Sequence, residues 1–245
     1  MRLSLSAFFP CYNDANTIGD LVVEAQRQLQ QVTDDYEIIV VNDGSTDNSA
    51  DVLGRLAAQV PRLTVVTHER NRGYGGALRS GFAAATKELV FYTDGDGQYD
   101  VRELPLLLML LTADTDFVNG IKMRRQDPAY RVHAGHLHQF LMRWLFWLPI
   151  QDVDCDFRLV RRRILDTIEL RSTSGSICVE LVKHAQRAGA EFREVSVHHY
   201  ARRHGQSQFF KPGRILGTYL HLAVLWLELM VADRVRRKPS VRIAA

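Results

Sequence analysis

The alternation of short apolar runs with helix-like segments over about the first 120 residues restricts the fold more than any other feature. Strand-like runs occur at Leu3–Phe9, Glu37–Val41, Leu63–Thr67, Leu89–Thr93 and Phe117–Gly120. Helix-like segments lie between and after them at Thr17–Gln31, Asp47–Gln59, Gly76–Thr86 and Val101–Leu111. Strands separated by helices are typical of a mainly parallel sheet with right-handed crossovers. The sequence therefore predicts an α/β fold, and 245 residues are enough for one such domain.

Composition and cysteine usage narrow the class of protein. The chain is 46% hydrophobic and 24% charged with a net charge of +3, as expected for an ordinary globular domain, and we expect no nucleic-acid partner. Cys11, Cys155 and Cys178 are far apart, so they predict neither a zinc site nor a disulfide framework and favour a reducing compartment. The apolar run at the N-terminus is too short for a signal peptide. We therefore expect a cytoplasmic catalytic body.

Polar or glycine-rich loops follow four of the predicted strands. Their sequences are "PCYNDAN", "VNDGSTD", "ERNRGYGG" and "DGDGQYD". Ligands of open parallel sheets bind at the carboxyl ends of the strands. The four loops therefore predict one composite site at a single edge of the sheet.

The fourth loop carries two carboxylates, Asp94 and Asp96, one residue apart. Such a pair can bind Mg²⁺ or Mn²⁺ together with phosphate oxygens, or it can be a solvated turn. An EF-hand is excluded because Tyr99 stands where the loop requires glycine and Pro105 where it requires glutamate. Asp43 in the second loop favours a ligand site, because a turn with a helix cap explains its neighbours but not Asp43 itself.

In their order and near spacings, "PCYNDANTI", "VVNDGSTD", "NRGYGGALRSG" and "TDGDGQYD" resemble the inverting family-2 glycosyltransferases with the GT-A fold. The chain looks most like the branch of dolichyl-phosphate mannose synthase and bacterial polyprenyl-phosphate glycosyltransferases, over about residues 3–210. The resemblance implies a Rossmann-like GT-A sheet and dependence on Mg²⁺ or Mn²⁺. It also implies transfer of a sugar, mannose or glucose by expectation, from a GDP- or UDP-sugar to a polyprenyl phosphate.

The resemblance further implies roles for single residues. Donor binding is expected at Pro10, Tyr12, Asp14, Asp43, Arg72, Gly73, Ala77, Asp94 and Gln98. Metal binding is expected at Asp94 and Asp96, and these two form the catalytic group with Asp152 and Arg158 of "QDVDCDFRLVRR". The acceptor phosphate is expected at Lys122, Arg131, Arg158, Arg203 and Ser207. Three departures from the family pattern are Asn42 for the first acid of DDGS, Asp156 for glycine and Gln208 for lysine.

The charges after residue 120 favour an anionic acceptor. A hydroxyl acceptor needs a general base, whereas a phosphate monoester is already anionic near neutral pH. Residues 120–200 contain no Glu-Asp pair of the kind that hydroxyl-acceptor relatives often present. Cations stand in this part of the chain instead, at Lys122, Arg124, Arg131 and Arg158, and just after it at Arg203.

Two apolar helical segments follow the sheet pattern. The first, 133–149, is expected to be an amphipathic helix that faces the acceptor or the membrane, and the second, Ile215–Ala232, precedes a basic tail at 234–238. A buried helix or an oligomer interface is the alternative. We expect a catalytic domain at 1–210, an apolar helix and basic tail at 211–245, and peripheral attachment to the inner face of the membrane, with homo-oligomerisation possible.

Three other functions remain open from the sequence. A glycosyltransferase could act on a saccharide hydroxyl, and a sugar-nucleotide-binding protein could lack turnover. A nucleotidyltransferase is disfavoured because residues 10–16 contain neither the glycine nor the lysine of its phosphate loop.

Overall fold

A computed structural model describes residues 3–123, 129–202 and 212–232. Within these ranges the strands are β1 Ser4–Cys11, β2 Asp35–Asn42, β3 Leu63–Thr67, β4 Leu89–Thr93, β5 Phe117–Met123, β6 Phe157–Arg161 and β7 Phe192–His198. The α-helices are α1 Ile18–Val32, α2 Ser49–Gln59, α3 Tyr74–Ala84, α4 Leu104–Met109, α5 Ala129–Phe146, α6 Arg162–Leu165, α7 Ile177–Arg187 and α8 Pro212–Trp226. A 3-10 turn at Val101–Glu103 precedes α4, and a π-helical segment at Leu227–Ala232 continues α8.

The strands form one sheet in the order β3-β2-β1-β4-β6-β5-β7. Neighbouring strands are parallel except β6, which runs antiparallel to both β4 and β5. From β1 the chain proceeds outward to β2 and β3 and then returns to β4 on the other side of β1, so the strand order reverses between β1 and β4. Ligand crevices of open α/β sheets lie at such a reversal, outside the carboxyl ends of the strands.

Helices cover both faces of the sheet, which is why most strand positions are buried. Leu5, Ala7 and Phe9 of β1 point into a core shared with α1, α2 and α4. Phe8, between them, points into a second core shared with α3, α5, α7 and α8. The alternation follows from the two-residue period of a strand. The predicted mainly parallel α/β sheet with flanking helices is therefore confirmed.

The predicted elements of the first half agree with β1 to β5 and α1 to α3 to within a few residues. The single helix expected at Val101–Leu111 is wrong in detail. Asp100 accepts a hydrogen bond from the Arg102 amide at 3.0 Å and starts a 3-10 turn, which leaves only six residues for α4.

Helices α5 and α8 lie side by side and expose a shared apolar face. The Trp226 indole donates to the Leu145 carbonyl at 3.0 Å, and His138 Nδ1 lies 3.0 Å from the Tyr219 hydroxyl. We call the exposed large side chains of the two helices and the segments that follow them the α5–α8 face: Leu137, Phe140, Trp144, Trp147, Leu216, Tyr219, Leu220, Val224 and Leu227. Among the described residues, no helix combines the length and the hydropathy needed to cross a membrane. The basic tail at 234–238 lies outside the described residues, and the domain division at 210 stays a prediction.

Candidate active site

The loops that follow β1 and β2 are bound to each other. The Asn13 side-chain oxygen accepts hydrogen bonds from the amides of Thr46 at 2.7 Å and Asp47 at 3.3 Å. In return the Asn13 amide donates to the Ser45 hydroxyl at 3.1 Å, and the Asp14 amide donates to the Ser49 hydroxyl at 3.2 Å. Asn13 adopts a φ of 60°, a conformation that asparagine tolerates better than most residues. This network of hydrogen bonds holds Asp14 at the edge of the sheet.

Asp43, at the end of β2, organises the loop that follows β3. We call this loop, residues 68–73, the glycine loop. The Asp43 carboxylate accepts the Arg72 amide at 2.8 Å and the Gly73 amide at 3.0 Å. The same carboxylate lies 2.6 Å from His68 Nδ1. Asp43 is buried, so these contacts replace the solvent that the carboxylate lost on folding.

Gly73 allows this loop to pack closely against the segment before α7. It has a φ of 82°, and a Cβ atom there would lie 2.4 Å from the Thr173 carbonyl oxygen. The Gly75 amide donates to that same oxygen at 3.0 Å. Arg72 is exposed, whereas Ala77 is buried in the first turns of α3. The backbone, rather than long side chains, therefore lines this part of the edge.

Asp94 and Asp96 lie directly after β4, next to the end of β1. Gly95 between them leaves no room for a side chain, because a Cβ atom would lie 2.5 Å from the Pro10 carbonyl oxygen. The Tyr74 hydroxyl donates to Asp94 Oδ1 at 2.7 Å, and the Gln98 amide donates to Asp96 Oδ1 at 3.0 Å. The structure therefore brings the predicted metal pair against β1 and beside the glycine loop.

The charge of this cluster of carboxylates is only partly balanced. Burial, with the nearby carboxylates Asp156 and Asp96, raises the pKa of Asp94 well above its ordinary value. Burial also raises the pKa of Asp96, against the opposing effect of Arg202. It raises the pKa of Asp14 to about 6, again with Asp96 contributing. The pocket therefore favours any bound cation over a further anion.

Arg202 already supplies one positive charge there. Its guanidinium forms an ion pair with Asp96 Oδ2, and its Nη1 lies 4.0 Å from Asp14 Oδ1. Gln98 fixes the chain before Arg202, because its carbonyl accepts the Tyr200 amide at 2.8 Å and its side chain donates to the Tyr200 carbonyl at 2.9 Å. Sequence reasoning placed the acceptor-side cation at the next residue, Arg203, and missed Arg202.

Arg158 lies in the protein interior rather than on the acceptor side. Its exposed fraction is 0%, and its Nε and Nη1 donate to Asn119 Oδ1 and the Tyr92 hydroxyl at 2.8 and 2.7 Å. Asp156 Oδ1 lies 3.7 Å from Arg158 Nη1. With its donors occupied, Arg158 is placed to compensate the charge of Asp156 and not to meet an acceptor phosphate directly.

Lys122 is also turned inward. Its ammonium donates to the Asp154 carbonyl at 2.6 Å and lies 3.5 Å from Asp152 Oδ1. Asp152 is buried and also accepts the Lys122 amide at 3.1 Å and the Gln139 side chain at 2.5 Å. Asp152 therefore orients a cation, and neither residue presents a free charge at the surface.

The remaining predicted residues fall into two groups. Pro10 is buried at the end of β1, while Tyr12 is half-buried beside Asp14, whose Oδ2 accepts the Tyr12 amide at 3.1 Å. Arg131 lies on α5, but its side chain is outside the described part of the structure, and Arg203 and Ser207 lie outside it altogether. The predicted acceptor-phosphate group is therefore not assembled among the described residues and stays a prediction.

Two further residues of the site carried no usable signal. Tyr74 follows Gly73 in a loop where only the glycines and Arg72 drew attention. His68 lies in "THER", which matches no motif. Asp156 did have a signal, because it replaces the family glycine, and the structure shows why the position matters: its carboxylate raises the pKa of Asp94.

A divalent cation fits the donor set, although the described ranges contain no group of three or more His, Cys, Asp and Glu side chains arranged to hold a metal ion. Asp94 and Asp96 supply carboxylate oxygens, which are the ligands that Mg²⁺ and Mn²⁺ prefer. A site with two protein ligands leaves positions for phosphate oxygens and water, as is usual for Mg²⁺.

Comparison with solved structures agrees with this fold. The glucosyl-3-phosphoglycerate synthase of Mycobacterium tuberculosis, in complex with Mn²⁺, uridine diphosphate and glucosyl-3-phosphoglycerate, superimposes with a TM-score of 0.70 over 93% of this chain and 80% of that chain. The sequences are 20% identical, so the likeness concerns the fold alone. It confirms the predicted GT-A-like architecture.

Comparison of sequences identifies the family. The undecaprenyl-phosphate 4-deoxy-4-formamido-L-arabinose transferase of Enterobacter sp. (strain 638) is 30% identical over 207 residues, which are 84% of this chain and 62% of that protein. Its counterpart in Pseudomonas syringae pv. syringae (strain B728a) is 29% identical over 220 residues, 89% of this chain and 64% of that protein. The chain thus spans less than two thirds of the length of these relatives. The model of Glycosyl transferase family 2 matches residues 6–169, and the chain therefore belongs to that family.

Proposed function

We propose that this chain is a metal-dependent inverting glycosyltransferase that moves a sugar from a nucleoside diphosphate donor to a polyprenyl phosphate at the cytoplasmic face of a membrane. The observation that carries the proposal is the convergence of Asp94, Asp96 and Asp14 with the glycine loop at the strand reversal between β1 and β4. The names of the relatives, which are undecaprenyl-phosphate sugar transferases, favour a polyprenyl phosphate as acceptor.

The donor would lie along the carboxyl edge of β1, β2 and β4. The backbone of the glycine loop is held by Asp43, which would preorganise it for a diphosphate. Arg72 is exposed beside this loop and supplies a cation for the phosphates. A divalent ion held by Asp94 and Asp96 would neutralise the charge that develops on the departing diphosphate. Tyr74 keeps Asp94 oriented for this role.

The acceptor phosphate needs no general base, because it is already anionic. One of its oxygens forms a bond to the anomeric carbon while the bond from that carbon to the diphosphate oxygen breaks. The electron pair leaves with the nucleoside diphosphate, and the configuration inverts. The protein has to position the two phosphates and to hold the pocket acids apart from the incoming anion, and Arg202 and Arg158 compensate Asp96 and Asp156 for that purpose.

The α5–α8 face would bring the enzyme to its lipid. Two tryptophans, Trp144 and Trp147, are 66% and 61% exposed, and interfacial helices carry such aromatic residues at the headgroup level. A concentration of exposed large apolar side chains on two adjacent helices is typical of membrane or protein contacts. Contact with a second copy of the chain is the alternative occupant.

A product assay tests the proposal. Purified protein is incubated with a short polyprenyl phosphate, a panel of GDP- and UDP-sugars and Mn²⁺ or Mg²⁺, and the lipid is examined by mass spectrometry with an EDTA control. We expect a metal-dependent glycosyl phospholipid, and a loss of about 100-fold or more for Asp96→Asn, because the charge stabilisation by the ion is worth several kcal/mol. Asp100→Asn is the matched control, since Asp100 lies in the same loop and binds Arg102 instead.

The other outcomes are equally informative. A modified glycan with an inert lipid would assign a hydroxyl acceptor. Donor binding without any product would assign a non-catalytic sugar-nucleotide-binding protein.

A further inference from the structure

We propose that His68 is a positioning residue of the donor site, a role that rests on the proposed function. It would act through Asp43 by fixing the carboxylate orientation in which Asp43 binds the backbone of the glycine loop. The ring of His68 hydrogen-bonds to Asp43 and Ser80, and not to Asp94 or Asp96.

The contacts of His68 form a chain of three side chains. His68 Nδ1 lies 2.6 Å from Asp43 Oδ1, and His68 Nε2 lies 2.9 Å from the Ser80 hydroxyl. The side chains of His68 and Asp43 are only 3% and 4% exposed. The His68 amide also donates to the Asn42 carbonyl at 2.9 Å, so the residue is held at both its backbone and its ring.

The hydrogen-bond partners place a proton on His68 Nδ1. The Asp43 carboxylate already accepts two backbone amides, so Nδ1 is the donor in its contact with Asp43. Nε2 is hydrogen-bonded to the Ser80 hydroxyl. Every polar atom of the imidazole is satisfied in this arrangement, as buried polar groups require.

The Asp43 carboxylate connects His68 to the glycine loop, because its Oδ1 atom has two hydrogen-bond partners. Asp43 Oδ1 is bound both by His68 and by the Arg72 amide, while Oδ2 accepts the Gly73 amide. Rotation of the carboxylate would weaken all of these bonds together. His68 therefore restricts the carboxylate to the rotamer that holds the two amides, and so limits the conformations of the loop before donor binding. Preorganisation of this kind increases affinity by reducing the entropy lost on binding.

The order Ser80, His68, Asp43 is also that of a hydrolytic triad. Here, however, the Asp43 carboxylate also binds two amides of the glycine loop. This contact favours a role of His68 in holding the loop over activation of the Ser80 hydroxyl. The two roles predict different effects of the Ser80 variant, and the experiment below separates them.

The test is calorimetric titration of UDP and GDP, each with Mn²⁺, into the wild-type chain and into His68→Ala, His68→Asn, His68→Gln and Ser80→Ala. The asparagine amide nitrogen takes the place of Nδ1 and restores the donor to Asp43, whereas the glutamine amide reaches the position of Nε2. We expect His68→Ala to weaken nucleotide binding about 10-fold, as for a lost hydrogen bond to a charged group. Recovery to within about 3-fold is expected in His68→Asn and not in His68→Gln, with a loss of about 3-fold or less in Ser80→Ala.

Steady-state kinetics and thermal unfolding complete the test. The KM for the donor should rise in His68→Ala while kcat at saturating donor changes little, since the loop adopts its bound form once the donor is present. A purely structural role would lower the melting temperature of all His68 variants without separating asparagine from glutamine in nucleotide affinity. That result, or a large fall in the kcat of Ser80→Ala at saturating donor, would overturn the proposal.

The binding measurements also distinguish failure of the proposed function from failure of the role of His68. Absence of nucleotide binding by the wild-type chain would overturn the proposed function itself. Wild-type binding with no difference between asparagine and glutamine would overturn only the role of His68. If His68→Ala does not fold, the asparagine and glutamine variants alone decide the outcome.

Discussion

Replacing Arg202 by alanine should make the metal-free enzyme bind Mn²⁺ more tightly. The guanidinium occupies Asp96 Oδ2, an oxygen that a cation at the Asp94–Asp96 pair would use. Arg202 and the metal therefore compete for the same carboxylate. In the variant the competing charge is gone, while the raised pKa values of Asp94 and Asp96 show how poorly the pocket tolerates uncompensated carboxylates.

The magnitude follows from the burial of the pair. The Arg202 side chain is 26% exposed and that of Asp96 only 8%, so the ion pair is neither fully solvated nor fully buried. Exposed pairs are worth about 0–1 kcal/mol and hydrogen bonds to charged groups about 1.5–3 kcal/mol. A value of about 1–2 kcal/mol corresponds to a Kd for Mn²⁺ lower by about 5- to 30-fold.

The assay is titration with Mn²⁺ in the absence of nucleotide, in which free ion is measured by electron paramagnetic resonance. Arg102→Ala is the matched control, because Arg102 pairs with Asp100 in the neighbouring turn and is 67% exposed. Its Kd for Mn²⁺ should equal that of the wild type. Unchanged or weaker Mn²⁺ binding in Arg202→Ala, with a normal control, would refute competition at Asp96.

Two further predictions concern stability and the membrane. Burial, with the charge of Asp96, raises the pKa of Asp14 from 3.8 to about 6, so ionisation of Asp14 destabilises the fold as the pH rises from about 4 to about 6. Asp14→Asn should therefore raise the free energy of unfolding by up to about 3 kcal/mol at pH 7.5, and by progressively less towards pH 4. Urea unfolding at several pH values measures this gain, and a gain that does not depend on pH would contradict this origin. On the α5–α8 face, Trp144→Glu should lower partitioning onto anionic phospholipid vesicles by about 10-fold or more, because insertion of one large apolar side chain is worth about 2 kcal/mol. Met109→Glu is the control, since Met109 is 80% exposed on α4 across the sheet; equal sedimentation of both variants with vesicles would argue for a second copy of the chain on that face.

The first half of the fold was predictable because each strand is a compact apolar run and each loop starts with polar or glycine residues. The second half was not, and β6 shows why. Its sequence "FRLVR" places Arg158 in the middle of a strand, where a charge argues against burial. Burial is possible because Asn119 and Tyr92, which are 39 and 66 residues away in the chain, hydrogen-bond to Arg158. Asp156, two residues before it, adds a carboxylate.

The residues of the site were likewise predictable where they form local motifs and not where they depend on tertiary contacts. The metal pair, Asp43 and the glycine loop are local motifs, and their place at one edge followed from parallel topology. Whether a cation points outward is a tertiary property, so Lys122 and Arg158 looked like acceptor ligands although both are buried and paired. His68 gave no local signal, because its partners Asp43 and Ser80 are 25 and 12 residues away.

The reversed direction of β6 has a geometric consequence for catalysis at a membrane. Because β6 is antiparallel to β4 and β5, its first residue, and not its last, lies at the edge that carries the site. The connection from α5 to β6 therefore runs along that edge. Only the ten residues 147–156 separate the last turn of α5 from Phe157, and this connection carries both Asp152 and Asp156. If α5 lies on the lipid as proposed, its depth of insertion sets the height of the carboxylate pocket above the headgroups. Such an enzyme is matched to acceptors whose phosphate stands at one fixed level, and a longer spacer between lipid and phosphate would place the reacting oxygen out of reach.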